Sequence, residues 1–381
     1  MKIGLNATIL NDRPSGARQR FVGIYGALIR QQPENEFVIY EPRDCRLGEW
    51  FAGQDNVSCR PTPIPSTGRV GKFIAGARYW REAHRRDAFD VFEAMHMPLT
   101  RPADAPTLLT IHDVRGLRDT ANPLNRTLFV RVLRDALKRA DHVVTVSHAM
   151  RAEILDFYDR TPVSVVYNGF DAGGAGEVSQ AELAEFRSRH GLPEGYVLAV
   201  GHLEDRKNYP RLIEAIAVLA ARGVDCPLVI IGNDSGHGAA LRQQIAKLQL
   251  EGKVTLLSGL SDADVRRAYH AARLLAFPSA YEGFGIPILE AMAAGTPMAL
   301  SDLEIFREIT EGKAIYFDHR SVEAIADAVE LGVSSQERRE EMIAYGSRRV
   351  QDFAFGALAA QLAAVHKSLA SQPKALSACS P

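Results

Sequence analysis

Two glutamates, Glu282 and Glu290, stand eight residues apart around a glycine-containing loop. The apolar run Leu274–Phe277 before them predicts the end of a buried strand, and Pro287 suits the first turn of a helix, where a missing N–H costs nothing. One carboxylate is therefore expected in the loop and the other inside the helix. At such positions carboxylates can accept hydrogen bonds from the hydroxyl groups of a sugar and a ribose.

The loop itself is suited to an anion. Gly283 and Gly285 let the backbone approach a ligand closely, and the next helix offers N–H groups and a positive dipole end to a phosphate. An ordinary strand, loop and helix with two surface glutamates is the alternative interpretation, so neighbouring motifs must decide between the two.

A basic segment about 75 residues earlier supplies such a motif. Arg206 and Lys207 follow a predicted strand that ends at Gly201 and precede a helix started by Pro210. An arginine fork and a lysine point charge suit a diphosphate, on which negative charge develops as a glycosidic bond breaks. Considered alone, the segment could also be a solvated basic turn.

The sequence Glu282-Gly-Phe-Gly-Ile-Pro-Ile-Leu-Glu290 resembles the paired-glutamate signature of retaining nucleotide-sugar glycosyltransferases of family four, which have the GT-B fold and include many bacterial polysaccharide mannosyltransferases. The resemblance implies that Glu282 is catalytic and contacts the transferred sugar. In that family an Arg-Lys-Asn or similar segment binds the donor diphosphate. The donor-binding residues implied here are Gly201, Arg206, Lys207, Glu282, Gly283, Phe284, Gly285, Ile286 and Glu290.

In the first half of the chain, His112 follows the apolar strand Thr107–Ile111. A lone histidine is usually structural, but one at a strand end can bind a sugar hydroxyl or share a proton with an acceptor, with Asp113 orienting it. The family has a His-Asp pair after the same strand, which implies a catalytic role for His112 and a supporting one for Asp113.

The loop around Gly16 resembles the family's glycine loop that approaches the donor diphosphate, which implies a donor contact for Gly16. The usual second glycine is missing, because Ala17, Arg18, Gln19 and Arg20 stand there. A role for either arginine in acceptor binding is therefore left open.

Two loops of the second half are weaker candidates. Gly232–Gly238 is glycine-rich but lacks a dinucleotide fingerprint and the later acid, and is interpreted as a border of the base pocket. Ser258–Asp262 resembles the family loop whose backbone touches the base, which implies a donor contact at Leu260, although Ser261 could equally cap the following helix. No acidic motif is placed to hold a metal on the phosphates, because Asp262-Ala-Asp264 falls at a helix start. Neither a metal nor a tightly held cofactor is expected.

The surrounding pattern alternates strands and helices, which predicts parallel sheets covered on both faces. The predicted strands are Lys2–Ile9, Glu36–Tyr40, Val57–Arg60, Asp90–Ala94, Thr107–Ile111, His142–Val146 and Val163–Tyr167, then Tyr196–Gly201, Pro227–Ile231, Lys253–Leu257, Leu274–Phe277, Pro297–Leu300 and Ala314–Tyr316. Two doubly wound Rossmann-like α/β domains are thus expected, with the site in the cleft between them.

The predicted domains are an acceptor-side domain over 1–175, a linker over 176–190 and a nucleotide-sugar domain over 191–354. A helix over 355–370 is expected to return to the first domain, as in GT-B enzymes, and 371–381 to be disordered. The clearest apolar stripe predicts a helix packed on the core. It consists of Leu124, Leu128, Phe129, Val132, Leu133, Ala136 and Leu137.

Composition limits the possible partners. A chain of 381 residues is too long for one ordinary core. Its 45 Lys plus Arg and 46 Asp plus Glu nearly cancel, so the chain has no net positive charge that would attract nucleic acid. The four cysteines, which lack close C-x-x-C spacing, indicate reduced thiols. Without a signal-peptide pattern or a membrane-spanning apolar run, a cytoplasmic protein is expected.

One basic stretch, Arg69–Arg86, could form an amphipathic helix, with Phe73, Ala77 and Trp80 on one stripe. Such helices can lie on anionic membranes, which predicts a peripheral contact at the inner face of the membrane. The alternative is a solvated helix whose Phe and Trp pack into the first domain.

Together the motifs predict a retaining, metal-independent hexosyltransferase that acts from a nucleotide diphosphate sugar on a glycan or lipid-linked acceptor in cell-surface polysaccharide synthesis. The resemblance favours mannose or a related sugar from a GDP-sugar. A nucleotide-sugar epimerase of the same architecture and a non-catalytic binding subunit are the alternatives, although the intact glutamates and cations argue against a decayed site.

Overall fold

A computed structural model describes residues 1–12, 15–83, 88–101, 105–118, 122–171 and 178–372. The chain divides into two compact units. Unit 1 joins Met1–Gly169 to Phe355–Pro381, and unit 2 is the continuous segment Phe170–Ala354.

Unit 1 is built on a seven-stranded parallel sheet in the order β3-β2-β1-β4-β5-β6-β7. Side chains alternate along each strand, so Phe37 and Ile39 enter one core cluster while Val38 and Tyr40 enter another on the opposite face. The strands are β1 Lys2–Asn6, β2 Glu36–Glu41, β3 Val57–Pro61, β4 Val91–Ala94, β5 Thr107–Ile111, β6 His142–Thr145 and β7 Val163–Val165. The helices are α1 Gly16–Arg20, α2 Gly26–Gln31, α3 Arg69–Ala83, α4 Pro123–Arg139 and α5 His148–Phe157, with a π-helical segment Phe21–Tyr25 between α1 and α2.

Unit 2 has a six-stranded parallel sheet in the order β10-β9-β8-β11-β12-β13. Its strands are β8 Val197–Val200, β9 Leu228–Ile231, β10 Val254–Leu257, β11 Leu274–Phe277, β12 Met298–Ser301 and β13 Ile315–Phe317. Its helices are α6 Gln180–His190, α7 Tyr209–Ala221, α8 Gly238–Lys247, α9 Asp262–Ala271, α10 Ile286–Ala294, α11 Glu304–Thr310, α12 Val322–Ser334 and α13 Gln336–Arg349.

The last helix, α14 Phe355–Ala370, belongs to unit 1, as predicted. Its Leu358 and Leu362 are buried in the core beside β1 and α2. Its His366 is also buried, and the ring Nε2 lies 2.8 Å from an oxygen of Glu93 on β4. Helix α14 is therefore part of the core of unit 1.

The chain passes between the units at two neighbouring points. On the unit 2 side, the N–H of Phe170 donates to the carbonyl of Phe353 at 2.9 Å, and Phe170 forms an isolated parallel bridge with Ala354. On the unit 1 side, the Phe355 ring packs so closely on Gly169 that a Cβ there would lie 2.4 Å from the ring. Outgoing and returning segments thus run side by side.

The two doubly wound α/β sheets confirm the predicted fold, and the thirteen predicted strands are all present in the described residues. One helix start differs. α1 begins at Gly16 instead of Arg20, because the Ser15 hydroxyl caps it by accepting a hydrogen bond from the N–H of Arg18 at 3.2 Å.

Two further differences concern helices. Residues 180–190, inside the segment predicted as a linker, form α6, with a capping box between Ser179 and Glu182. The stripe predicted as core on α4 is wrong at Leu124 and Leu128, which are exposed, although Leu133 is buried as expected. The predicted disordered tail lies from residue 373 onward outside the described residues.

Candidate active site

The sheet of unit 2 has its switch point between β8 and β11, since β8 is followed by β9 on one side of it and neighbours β11 on the other. In open α/β sheets, ligands bind at the carboxyl ends of the strands at such a point. The loops that leave β8 and β11 carry Arg206, Lys207 and Glu282. The fold therefore brings these predicted residues to one edge.

The loop after β8 is shaped by its backbone. Gly201 has φ 140°, and a Cβ there would lie 2.7 Å from Cε of Lys207, so only glycine leaves room for the lysine side chain. Asn208 has the left-handed φ of 58° and starts α7. Its side-chain amide donates to the carbonyls of Pro278 at 3.1 Å and His319 at 2.7 Å, which ties the loop to the neighbouring strand ends.

Glu282 is the centre of a charged cluster. Its Oε1 lies 2.8 Å from Nζ of Lys207 and 2.5 Å from Nη1 of Arg206, and it accepts a hydrogen bond from the Ser279 hydroxyl at 2.9 Å. Burial disfavours the charged carboxylate, but Lys207 and Arg206 outweigh this and lower the pKa of Glu282. Glu282 is therefore a carboxylate at neutral pH.

The contacts of this cluster fix the positions of the Lys207 and Arg206 side chains. Lys207 is only 5% exposed, and its ammonium lies 4.6 Å from the centre of the Phe277 ring. Arg206 is shared, because its Nη2 also lies 2.8 Å from Glu204. Two carboxylates thus balance two cations, and an arriving diphosphate would have to compete with carboxylates for them.

Glu290, the second glutamate of the pair, has a different environment. It lies within α10, and its Oε2 accepts a hydrogen bond from the Tyr269 hydroxyl at 2.6 Å. Burial raises the pKa of Glu290, with a smaller contribution from Asp262. Within the described residues its Oε1 accepts no hydrogen bond, so this oxygen can meet a hydroxyl group.

The loop between the glutamates turns at Gly285, which has φ 122° and caps α10. A Cβ at Gly285 would lie 3.1 Å from the Phe306 ring, so the backbone is packed closely there. Phe284 is buried, with its ring centre 6.0 Å from that of Phe353. Its side chain is therefore engaged in the core, and a donor contact at Phe284 would involve its backbone. Gly283 and Ile286 flank this turn and stay predicted contacts.

The two weaker candidate loops, Gly232–Gly238 and Ser258–Asp262, differ in the groups that they can offer to a ligand. The Asp234 carboxylate accepts hydrogen bonds from the N–H groups of Gly236, His237 and Gly238 at 2.8 to 2.9 Å, so the start of α8 is already capped by an anion. Ser261 caps α9, as one of the two alternatives predicted, by accepting from the N–H of Asp264. Leu260 precedes it, half-buried, between β10 and α9.

In unit 1, His112 follows β5 at the carboxyl edge of the sheet and is largely buried. Burial, and then the positive charge of Arg20, lower the pKa of His112 to about 4, so the ring is neutral at neutral pH. A neutral imidazole can accept a hydrogen bond from a sugar hydroxyl, which is one of the two predicted roles, whereas the lowered pKa makes it a weak base for the other. The Asp113 carboxylate accepts from the N–H of Arg115 at 3.2 Å and so stabilises the following turn.

Gly16 and Arg20 lie on α1, not in a loop. Arg20 is 2% exposed, and its Nη1 donates to the carbonyls of Val166 at 2.9 Å and Tyr167 at 2.8 Å. This arginine therefore holds the segment after β7, and its role in acceptor binding stays open. Gly16 stays a predicted donor contact.

Sequence reasoning missed three partners of the site. Ser279 and Glu204 lie three and two residues from Glu282 and Arg206, so polar residues flanking the motifs were an available signal. Tyr269 comes from α9, distant in sequence from Glu290, and no local pattern indicates it.

The basic helix α3 turns Trp80 inward. Trp80 is 4% exposed and packs edge-on against Tyr40 and Phe92, with ring centres 4.8 and 5.0 Å apart. This favours the alternative in which the apolar stripe packs into the first unit. Residues 84–87 of the basic stretch lie outside the described residues.

Two features are absent from the described residues. None of their helices is both long enough and apolar enough to cross a bilayer. Nor do three or more His, Cys, Asp or Glu side chains come together there in a metal-binding group.

Comparisons with known proteins give consistent matches along the chain. A family model described as glycosyl transferases group 1 matches residues 182–349, and one described as glycosyltransferase family 4 matches residues 16–173. The O-antigen chain mannosyltransferase RfbU of Salmonella typhimurium is 31% identical over 210 residues, a match that spans 55% of this chain and only 55% of that relative.

Two other proteins match over nearly the whole length. A phosphatidyl-myo-inositol mannosyltransferase of Mycolicibacterium smegmatis is 26% identical over 97% of this chain and 94% of its own. The structure of Anabaena HepE in complex with UDP-glucose superimposes with a TM-score of 0.75 at 20% identity, over 97% of this chain and 100% of that one. At that identity the structural match bears on the fold alone.

Proposed function

Because this chain belongs to the group 1 glycosyltransferases of family 4 and has the GT-B fold, we propose that it transfers a hexose from a nucleotide diphosphate sugar to a hydroxyl group of a glycan or lipid-linked acceptor. The transfer retains the anomeric configuration, as the resemblance of the paired-glutamate motif implies. The mannosyltransferase relatives favour mannose, and with it a GDP-sugar.

The observation that carries the proposal is the cluster of Glu282, Arg206 and Lys207 at the switch point of unit 2. A diphosphate leaving group gains negative charge as the anomeric bond lengthens, and preorganised cations stabilise that charge. Glu282 pairs with both of these cations. When the diphosphate takes over Lys207 and Arg206, the carboxylate becomes available to the hydroxyl groups of the transferred sugar.

The acceptor side of the proposal rests on unit 1. His112 is neutral and lies at the carboxyl edge of the sheet, so it can accept a hydrogen bond from the attacking hydroxyl and orient it. The relatives named as an O-antigen chain mannosyltransferase and a phosphatidyl-myo-inositol mannosyltransferase support a glycan or lipid-linked acceptor. Work at the inner face of the membrane stays a prediction from the sequence.

The direct test is a donor screen that measures release of free nucleoside diphosphate from GDP-, UDP- and dTDP-sugars, with and without membrane lipid extract as a source of acceptor. Release that depends on one donor and increases with acceptor supports a transferase. Interconversion of the donor sugar without any acceptor would assign an epimerase instead, and tight donor binding without turnover would assign a binding subunit. Either outcome contradicts the proposal.

Activity is expected to survive EDTA. Arg206, Lys207 and the start of α10 together present the positive charge that a magnesium ion supplies in other transferases. The measurement is nucleotide release after dialysis against EDTA, compared with the same protein to which Mg²⁺ is returned. Loss of activity that Mg²⁺ or Mn²⁺ restores would contradict the metal-independent mechanism.

Replacing Glu290 is expected to weaken nucleotide binding more than it slows transfer. The free Oε1 of Glu290 suits a ribose hydroxyl, and loss of one hydrogen bond to a charged group raises Kd by roughly tenfold to a hundredfold. Calorimetry with GDP and UDP on Glu290→Ala tests this, with the exposed helical Glu323→Ala as the matched control. Equal affinity of Glu290→Ala and the unaltered protein would remove the ribose role.

A further inference from the structure

The sheet of unit 1 has a switch point of its own, between β1 and β4. β1 is followed by β2 on one side and neighbours β4 on the other, so the chain changes direction across the sheet there. Ligands of open α/β sheets bind at the carboxyl ends of the strands at such a point. Two polar side chains that no sequence motif indicated, Lys72 and His96, lie near this edge.

The loop after β4 lies against the end of β1 and against helix α3. Asn6, the last residue of β1, is buried, and its amide donates to the hydroxyl of Thr100 at 3.4 Å. A Cβ added at Gly76 of α3 would lie 3.9 Å from the methyl group of the same Thr100. Three elements therefore meet at the switch point.

Helix α3 carries Lys72 on the side that faces the sheet. α3 follows β3, so its first turn lies at the carboxyl edge of the sheet. Lys72, Gly76 and Trp80 recur every four residues and lie on one side of the helix. Trp80 is buried in the core, so Lys72 occupies the same inward side at the edge where ligands bind.

The Lys72 ammonium is held in place without an acid. Its Nζ donates to the carbonyl of Ser66 at 3.1 Å, and the Asp44 carboxylate fixes Ser66 by accepting from its N–H at 2.8 Å and its hydroxyl at 3.0 Å. Lys72 forms no ion pair with any of the described residues. Burial lowers the pKa of Lys72 to about 8, although Asp44 opposes this. A lysine that extends its ammonium into water would keep an ordinary pKa.

His96, two residues after β4, is the neighbour of this lysine. Burial, and then the positive charge of Lys72, lower the pKa of His96 to about 3, so the ring is neutral. Its Nδ1 is buried and has no hydrogen-bond partner among the described residues. Buried polar atoms are nearly always hydrogen-bonded, so an unpaired one at a strand end indicates a missing partner.

We propose that Lys72 and His96 bind an anionic oxygen group of the acceptor, a phosphate or a carboxylate. Lys72 supplies the charge, and the neutral ring of His96 supplies one N–H donor. The inference rests on the proposed function, because it assigns the acceptor to unit 1.

The position of this subsite says which acceptors it suits. β4 pairs with β5, the strand that His112 follows, and paired strands lie about 4.8 Å apart. The anionic group therefore belongs close to the hydroxyl that His112 orients. Sugar phosphates and uronic acids have this arrangement of a hydroxyl beside an anion.

The direct test is the rate at which Lys72 of the full chain is reductively methylated, measured by peptide mass spectrometry at constant ionic strength. Inorganic phosphate or glucuronate should slow methylation of Lys72 several-fold, whereas glucose should not. Lys253, a surface lysine that pairs with Asp225, is the matched control and should react equally in every sample. Protection by phosphate indicates a phosphorylated acceptor, and protection by glucuronate an acidic sugar.

Three results would overturn the inference. They are no protection by either anion, equal protection by glucose, and protection by GDP alone, which would assign Lys72 to the donor. The experiment needs no turnover, so it decides this inference even if no donor releases nucleotide, which is the result that contradicts the proposed function.

A kinetic test uses Lys72→Gln with membrane lipid extract as the source of acceptor. The amount of acceptor for half-maximal transfer should rise roughly tenfold to a hundredfold, the effect of losing one hydrogen bond to a charged group. Turnover at saturating acceptor should fall much less. Lys138→Gln, at an exposed lysine of the same unit, is the control and should behave as the unaltered protein does.

Thermal unfolding separates binding from support of the fold. A partly buried charge without an acid costs stability, so Lys72→Gln should unfold at the same or a higher temperature. A marked loss of stability would assign Lys72 a structural role and contradict the inference, as would an unchanged dependence on acceptor.

Discussion

Replacing Glu282 by alanine is expected to lower turnover by about two to three orders of magnitude, the range observed when one transition-state contact is removed. The same change should leave affinity for free nucleoside diphosphate unchanged or increase it. The Glu282 carboxylate lies 2.8 Å from the Lys207 ammonium and 2.5 Å from the Arg206 guanidinium, so it competes with a diphosphate for both cations. Its removal frees them.

This opposite effect on turnover and affinity distinguishes a sugar-contacting carboxylate from a purely structural one. If Glu282 were purely structural, its replacement would lower the stability, the nucleotide affinity and the turnover of the protein together. Steady-state release of nucleotide gives turnover, and calorimetry with GDP gives affinity. Asp225→Ala, at an exposed carboxylate that pairs with Lys253 in the same unit, provides the matched control. Unchanged turnover in Glu282→Ala, or a much weaker nucleotide affinity, would contradict the assignment.

Replacing Lys207 by methionine is expected to lower both turnover and nucleotide affinity, with turnover falling by about a hundredfold or more. Methionine preserves most of the volume of a side chain that is 5% exposed, but it removes the charge that meets the leaving group. Glu282 keeps Arg206 and Ser279 as partners, so the buried carboxylate is not left unpaired and the protein should still fold.

The control for this variant is Lys253→Met, because Lys253 is a surface lysine of unit 2 whose ammonium lies 3.3 Å from Asp225. Surface ion pairs contribute little to stability, so this variant should behave as the unaltered protein does. Thermal unfolding of both variants checks the fold. Full activity of Lys207→Met would move the search for the leaving-group partner to other residues.

The fold and the meeting of the main site residues were predictable from the sequence for a common reason. Short apolar runs between helical patterns define the strands, and the carboxyl ends of neighbouring parallel strands lie at one edge. Lys207 and Glu282, 75 residues apart, could therefore be assigned to one site before their 2.8 Å contact was seen. Local patterns were sufficient because each residue lies in the loop that follows a strand.

The unpredicted features depend on distances that local patterns do not encode. The hydrogen bond from Tyr269 to Glu290 joins two helices whose packing the sequence does not specify. The prediction of a buried stripe on α4 was wrong at Leu124. The periodicity of apolar residues indicates which face of a helix is buried, but it does not indicate how far the sheet beneath the helix extends. α4 has 17 residues and β6 only four, so at about 1.5 Å per helical and 3.3 Å per strand residue the helix extends beyond its support.

The return of α14 to unit 1 has a consequence for biosynthesis. On a ribosome, the seven strands of unit 1 emerge first, but the core positions filled by Leu358 and Leu362 stay uncovered until the end of the chain has been made. All of Phe170–Ala354 is translated in between, which takes on the order of ten seconds or more. The second unit is a continuous segment that needs no residue after Ala354, so its fold does not depend on α14. A released chain that ends at Ala354 therefore has a complete second unit attached to an incomplete first one, whose open apolar core is a target for chaperones.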